Sequence, residues 1–260
     1  MKRMIYLLAA SACAVWIASA CGEPGGGAGA GATREDPLAS PPPAGVPDED
    51  WADVARFRDA NAALRAKPTY GEEPRVVFMG NSITEGWDYR YPEFFRRHPT
   101  WVNRGISGQT TPQMLVRFRP DVIALEPAAV VLLAGINDIA GNTGPIPLED
   151  TFGNLASMAE LAEANGIAVV IASVLPAYDF PWRPGLAPAE KVVRLNAMLR
   201  DYAGAKGYTY LDYFGALADE RPGLRAGLHE DEVHPLRAGY AIMAPLTEEA
   251  VARALGMGAD

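Results

Sequence analysis

Cysteine is scarce in this chain of 260 residues. The two cysteines, Cys13 and Cys21, both lie near the N-terminus. Removal of residues 1–20 as an export signal would leave one cysteine, which excludes an internal disulfide. A domain without disulfides must be stabilised by its hydrophobic core alone.

Basic residues are also few relative to acidic residues. The 23 Lys and Arg residues are outnumbered by 32 Asp and Glu residues, which gives a formal net charge of −9. The sequence has no basic stripe, so a nucleic acid is not expected as a partner, and adhesion to anionic lipid is disfavoured. With 49% hydrophobic and 21% charged residues, the composition is nevertheless that of a globular protein.

The N-terminus has the pattern of an export signal. Lys2 and Arg3 precede the uncharged apolar stretch 4–20, which ends in Ala18-Ser19-Ala20, a small-x-small cleavage site. The alternative is a single membrane anchor, although the stretch is short for a transmembrane helix. We therefore expect an exported protein.

Cys21 follows the cleavage site directly. The stretch "ASAC" resembles the lipobox of bacterial lipoproteins, whose cysteine is lipidated and becomes the new N-terminus. Ordinary cleavage before Cys21 fits the same residues. Residues 21–49 are rich in Gly, Ala and Pro and predict a flexible linker, so we expect attachment to the bacterial cell envelope, or else secretion.

The remaining residues, 50–260, predict one domain of alternating strands and helices, in which Asp50 caps a helix over 51–66. Predicted strands lie at 75–79, 101–106, 128–134, 168–175 and 208–214. Predicted helices follow near 89–97, 111–125, 149–164, 188–205 and 236–255. This alternation indicates a parallel sheet covered on both faces: an α/β fold of the flavodoxin-like type, a three-layer α/β/α sandwich with five strands.

The first strand ends in an unusual turn. In "RVVFMGNSITEGW" (75–87), Gly80 lets the chain leave the strand sharply and Ser82 then begins the next segment. Ligands of such folds bind beyond the carboxyl ends of the strands. Ser82 is thus placed to act as a nucleophile near a helix N-terminus, or else Ser82 or Thr84 merely caps that helix.

A nucleophilic serine requires a base, and the chain has three histidines. His98 in "RRHPT" is predicted to be solvated, whereas His229 and His234 share the segment "LHEDEVHPLRAGY". Asp231 precedes His234 by three residues, so its carboxylate can hold Nδ1 and direct Nε2 outward. One alternative is a capping aspartate beside a surface histidine. Another is a metal site, although the segment lacks the helical H-E-x-x-H spacing of such sites.

Two further loops offer hydrogen-bond donors for an oxyanion. Gly108 in "NRGISGQTT" follows the second strand, and Asn137 in "LAGINDI" follows the third. With the N–H of Ser82, these groups would supply three donors at one edge of the sheet.

These four segments together resemble the SGNH, or GDSL-type, esterases and acylhydrolases. The signature residues map onto Ser82, Gly108, Asn137 and the pair Asp231 and His234, and "HPLRAGY" is most similar to the platelet-activating-factor acetylhydrolase-like branch. The resemblance implies a flavodoxin-like fold, a Ser-His-Asp triad, an oxyanion hole formed by Ser82, Gly108 and Asn137, and no metal or other cofactor. The chain departs from the family pattern in having Asn81 where the family has Asp.

The substrate is less well defined by the sequence. Trp87, Tyr178, Phe180 and Trp182 are candidates for a substrate wall, although the last three could equally form the core of a long loop. We expect hydrolysis of short acyl esters, including O-acetyl groups on glycans. The alternatives are lysophospholipid or thioester hydrolysis, or a non-catalytic, envelope-bound ligand-binding module on a degenerate esterase fold.

Overall fold

The computed structural model describes residues 50–67 and 73–257. The predicted signal (1–20), the predicted linker (21–49) and Cys21 lie outside the described residues. Among the helices of the described part, none is both long enough and apolar enough to cross a membrane.

In the described part of the chain, five parallel strands form one sheet in the order β2-β1-β3-β4-β5. The strands are β1 (Val76–Gly80), β2 (Trp101–Gly105), β3 (Ala129–Leu133), β4 (Ala168–Ala172) and β5 (Thr209–Leu211). Every residue of β1 and β3 is buried, as expected for apolar strands that are covered on both faces. The strand order is that of the flavodoxin-like fold, so the predicted fold class is confirmed.

Helices cover both faces of this sheet, and α7 and α10 both pack against β3 and β4. The helices before β3 are α1 (Arg58–Arg65), α2 (Ser82–Glu85), α3 (Trp87–Arg90), α4 (Glu93–Arg97) and α5 (Thr111–Asp121), and a 3₁₀ turn covers Ile123–Leu125. Those after β3 are α6 (Ile136–Ala140), α7 (Leu148–Glu163), α8 (Pro188–Lys206), α9 (Tyr213–Leu217) and α10 (Arg237–Ala254).

The first predicted helix, over 51–66, begins only at Arg58. Residues 51–57 form turns instead, and within them Asp53 has a φ of +52°, which lies outside the range of a helix. Asp50 caps these turns by accepting a hydrogen bond from Ala55 N–H at 2.7 Å. Side chains of α5 fix the same segment, since the amide of Gln113 donates to the carbonyl of Trp51.

The carboxyl ends of three neighbouring strands lie level with one another. Gly80, the last residue of β1, is in register with Gly105 of β2 and with Leu133 of β3. The segments that follow these residues therefore leave the sheet side by side. The predicted residues of the triad and oxyanion hole lie in these segments and in the loop before α10, and the predicted wall residues of 178–182 lie after β4.

Candidate active site

Ser82 is the first residue of α2, immediately beyond β1. A Cβ atom at Gly80 would lie 2.0 Å from Thr84 Oγ1 and 2.8 Å from the Leu133 carbonyl oxygen, so the turn requires glycine at this position. Asn81 caps α2, because its Oδ1 accepts a hydrogen bond from Ile83 N–H at 3.1 Å. Asn81 thus has a structural role that does not depend on the charge of the family's aspartate.

His234 lies between Ser82 and Asp231. Its Nε2 is 2.9 Å from the hydroxyl oxygen of Ser82, and its Nδ1 is 2.7 Å from Oδ2 of Asp231. With Nδ1–H donating to the carboxylate, Nε2 carries the lone pair that faces the hydroxyl. This arrangement allows the imidazole to accept a proton from Ser82.

The turn that carries Asp231 and His234 is held by side-chain acceptors. Oδ1 of Asp231 accepts hydrogen bonds from the N–H groups of Val233 at 3.2 Å and His234 at 2.8 Å. Nδ1 of His229 accepts the N–H of Glu232 at 2.9 Å, and Glu232 has a φ of +66°. His229 therefore stabilises the turn and does not contribute to the chain of hydrogen bonds that reaches Ser82.

The ionisation of Asp231 is favoured by its surroundings. Partial burial opposes the charge, but hydrogen bonds from the backbone and ring of His234, its charge, and the N–H of Val233 outweigh burial and hold the pKa of Asp231 below its ordinary value. Asp231 is consequently an anion throughout the range in which histidines titrate, and it can stabilise a positive charge on the ring of His234.

His98 is less exposed to solvent than the sequence predicted. His98 is not fully solvated: its ring stacks on Trp101 with centroids 3.9 Å apart, and its two nitrogens lie 3.0 Å from carboxylate oxygens of Glu73 and Glu248. These contacts fix the end of α4 beside α10, and none of them involves Ser82. The prediction of a solvated His98 was wrong because the sequence does not show which carboxylates approach it.

The proposed oxyanion donors lie in the segments that follow β1, β2 and β3. Among the described residues, neither the N–H of Ser82 nor that of Gly108 donates to another protein group. Gly108 has a φ of +78°, a conformation that glycine adopts without strain. One N–H of the Asn137 amide donates to the carbonyl of Gln109 at 2.9 Å, which ties α6 to the loop after β2 and leaves its second N–H for a ligand.

The helix that carries Asn137 is anchored by the next residue. Both carboxylate oxygens of Asp138 lie 3.1 Å from Thr111 N–H, and Oδ1 also accepts the Thr111 hydroxyl at 2.5 Å. Burial raises the pKa of Asp138, and the hydrogen bonds from Thr111 act in the opposite direction. The contact fixes α6 against the start of α5 and so limits the movement of Asn137.

The buried side chain of Arg117 connects the segments that follow β1 and β2. Arg117 donates from Nε to the side chain of Gln109 at 2.6 Å, from Nη1 to Asp121 at 3.0 Å and from Nη2 to the carbonyl of Gly80 at 3.1 Å. Gln109 in turn donates to the carbonyl of Ala52 at 2.7 Å. The loops after β1 and β2 are thus fixed to one fully buried guanidinium, which the sequence analysis did not identify.

The sequence nevertheless contains a pattern that indicates the ion pair of Arg117 and Asp121. Arg117 and Asp121 are four residues apart in α5, on the same side as the buried residues Met114 and Phe118. Two opposite charges on the apolar side of a helix indicate a buried ion pair.

The four candidate wall residues have different positions. Trp87 is a core residue, only 1% exposed, and its ring stacks on Phe94 at 4.2 Å and packs against Tyr240. Phe180 is fully buried and so has the loop-core position that was the alternative to a substrate wall, and neither Trp87 nor Phe180 presents a surface to a substrate. Tyr178 and Trp182 are half-exposed, and the ring centroid of Trp182 lies 6.4 Å from that of His234.

The acidic segment around His229 and His234 has no metal-site geometry. Within residues 50–67 and 73–257, no group of three or more His, Cys, Asp or Glu side chains is arranged to hold a metal ion.

The comparisons with known proteins identify the family of the chain. Residues 78–242 match the profile of the GDSL-like Lipase/Acylhydrolase family. The chain belongs to this family. A solved GDSL-like lipase from Bacteroides thetaiotaomicron is 48% identical, with a TM-score of 0.74, over 78% of this chain and 99% of that protein. The resemblance inferred from the sequence is therefore confirmed, and the known members of the GDSL family are carboxylic ester hydrolases.

Two curated relatives match over shorter stretches. The uncharacterized lipoprotein YqeF of Bacillus subtilis is 32% identical over 121 residues, which cover 39% of this chain and 48% of YqeF. Esterase TesA of Pseudomonas aeruginosa is 38% identical over 91 residues, which cover 35% of this chain and 38% of TesA. The chain thus spans half or less of the length of the curated relatives it matches.

Proposed function

We propose that this GDSL-family protein hydrolyses short acyl esters, including O-acetyl groups on glycans, with Ser82 as nucleophile, His234 as general base and Asp231 as its orienting carboxylate. The observation that carries the proposal is the continuous chain of hydrogen bonds from Ser82 Oγ to His234 Nε2 and from His234 Nδ1 to Asp231. The low pKa of Asp231 supports the role of an anion that stabilises the imidazolium.

The reaction has two steps. His234 takes the proton of Ser82 as Oγ attacks the acyl carbon, and the tetrahedral oxyanion is held by the N–H groups of Ser82 and Gly108 and the amide of Asn137. His234 then gives this proton to the leaving alcohol as the carbon–oxygen bond breaks. Water, deprotonated by His234, attacks the acyl-enzyme, and the serine leaves with the proton.

A chromogenic acetyl-ester assay of the purified protein tests this proposal. We expect Ser82→Ala to reduce the rate at least about 10³-fold, because loss of the nucleophile leaves only the residual catalysis of binding and the oxyanion hole. Equal low rates for the two proteins would instead favour a non-catalytic ligand-binding module. A series of p-nitrophenyl esters of increasing chain length would show whether acetyl is preferred over the long acyl chains of a lysophospholipid or thioester substrate.

The same proposal includes export and attachment to the cell envelope through a lipid on Cys21. The similarity to a Bacillus subtilis lipoprotein supports this location. Expression of the full chain with labelled palmitate is expected to label the wild type and not Cys21→Ser, while both remain exported. Equal labelling of the two proteins, or none in either, would exclude lipidation at Cys21.

A further inference from the structure

We infer that Trp182 is a stacking surface for the alcohol portion of the ester and that this alcohol is a sugar ring. The inference rests on the proposed function and adds to it the side of the site on which the sugar lies. It depends on the position of Trp182, on the rigidity of its loop and on the direction of proton transfer.

Trp182 lies beside the base of the proposed reaction. Its ring centroid is 6.4 Å from that of His234, and the two ring planes are inclined by 32°. Half of the Trp182 surface, 50%, is nevertheless exposed. Trp182 therefore offers a substrate bound at His234 a large aromatic surface to pack against.

The loop around Trp182 is fixed on both sides. Phe180 is fully buried and its ring lies 5.3 Å from that of Trp182, which supports the indole from the protein side. Arg183 donates to the carbonyls of Ala140 and Gly141 at the end of α6, the latter at 2.9 Å. Because both neighbours are anchored, the indole presents its outer surface in a defined orientation.

The direction of proton transfer assigns this surface to the alcohol. In the first step, His234 must protonate the oxygen of the leaving alcohol, so that oxygen lies next to Nε2. The acyl carbon lies between Ser82 and the oxyanion donors. Trp182, which lies beside the same ring, is therefore assigned to the group attached to the leaving oxygen.

A pyranose suits the surroundings of this surface. The C–H face of a sugar is flat and apolar and can cover an indole, while its hydroxyl groups require polar neighbours at the edge. The carbonyl of Gly141 accepts a hydrogen bond from Arg183, and the next two residues, Asn142 and Thr143, are exposed. The amide of Asn142 also donates to the carbonyl of Gly108 at 3.1 Å, which places this polar segment between the Trp182 loop and the proposed oxyanion loop.

Comparison of three acetate esters tests the inference. The kcat/KM values are measured for mono-O-acetylated methyl glucopyranoside, for ethyl acetate, which has no ring, and for phenyl acetate. Removing roughly 60 Å² of apolar indole surface from water is worth about tenfold in kcat/KM at about 25 cal/mol per Å². Trp182→Ala should therefore lower kcat/KM for the acetylated glycoside about tenfold and leave that for ethyl acetate within about twofold.

Two further variants serve as controls. Trp182→Phe keeps an aromatic surface and should retain most of the activity on the glycoside. Trp51→Ala removes a tryptophan of matched exposure, 49%, from the N-terminal turns and should leave all three rates unchanged.

Three results would overturn the inference. An equal loss on the glycoside and ethyl acetate would mean that Trp182 only supports His234. An unchanged rate on the glycoside would mean that Trp182 does not contact the sugar, and a greater loss on phenyl acetate than on the glycoside would assign an aromatic alcohol. A different result, continued hydrolysis of ethyl acetate by Ser82→Ala, would overturn the proposed function itself.

Discussion

The hydroxyl of Ser82 lies 2.9 Å from Nε2 of His234, although the two residues are separated by 152 positions in the chain. The parallel sheet places Ser82 at the carboxyl end of β1, and the turn before α10 brings His234 to it. A hydroxyl and an imidazole nitrogen at hydrogen-bond distance have the geometry that the proposed proton transfer requires.

The first prediction concerns pH. The reaction requires a neutral imidazole at His234, because a protonated ring cannot accept the proton of Ser82, and histidines lose or gain their proton between about pH 5 and 8. The pKa of Asp231 is lowered, so this carboxylate is already ionised in that range and does not add a second titration there. We expect kcat/KM for a short acetate ester to fall at acidic pH.

A pH–rate profile with a non-ionising substrate provides the measurement. A rate that stays flat between about pH 4 and 8 would show that no histidine acts as general base.

A second prediction concerns the buried guanidinium of Arg117. Arg117→Met leaves the buried carboxylate of Asp121 without its ion-pair partner and releases Gln109 and the carbonyl of Gly80. Removing one partner of a buried pair costs about 3–5 kcal/mol in the free energy of unfolding. Urea denaturation measures this loss.

The matched control is Arg194→Ala, which removes an exposed partner of Glu149. An exposed ion pair contributes about 0–1 kcal/mol, so this variant should unfold at nearly the wild-type urea concentration. Similar losses for the two variants would contradict the structural role given to Arg117.

A third prediction separates packing from substrate contact at Trp87. Because Trp87 is 1% exposed and stacks on Phe94, Trp87→Ala should lower the free energy of unfolding by about 3–5 kcal/mol. The variant should not change the ratio of kcat/KM values between acetylated glycoside and ethyl acetate, measured at a temperature where it remains folded. A shift in that ratio as large as that of Trp182→Ala would restore Trp87 as a wall residue.

A fourth prediction concerns the residue before the proposed nucleophile. Asn81→Asp keeps an oxygen that can accept the N–H of Ile83, so it should retain the cap and stay within a few-fold of wild-type activity. Asn81→Ala loses the cap and should be less stable by about 1 kcal/mol. Thermal unfolding and the acetate assay test both variants, and an inactive Asn81→Asp would show that the amide itself is required.

The strands and the site could be predicted because both depend on local pattern and on one general rule. The apolar runs defined β1 and β3, and the carboxyl ends of parallel strands meet at one edge, which brought Ser82, Gly108 and Asn137 into neighbouring loops. Likewise, the three-residue spacing of Asp231 and His234 was enough to predict their contact.

Features that depend on tertiary packing could not be predicted in this way. Trp87 and Tyr89 lie in the same short helix, yet Tyr89 is exposed and the indole of Trp87 is buried against Phe94 and Tyr240. The helix expected from 51 was replaced by turns because Gln109 and Gln113 bind the carbonyls of that segment. Such contacts come from residues distant in sequence and leave no periodic signal.

The most direct test of the central claim is to locate the acyl group in the reaction intermediate. The protein is mixed with p-nitrophenyl acetate, quenched in acid within the first turnover, digested and examined by peptide mass spectrometry. The account predicts one acetyl group on the peptide that contains Ser82, located at Ser82 by fragmentation, and none on the same peptide of Ser82→Ala. An acetyl group consistently found on a different residue, together with undiminished turnover by Ser82→Ala, would contradict it.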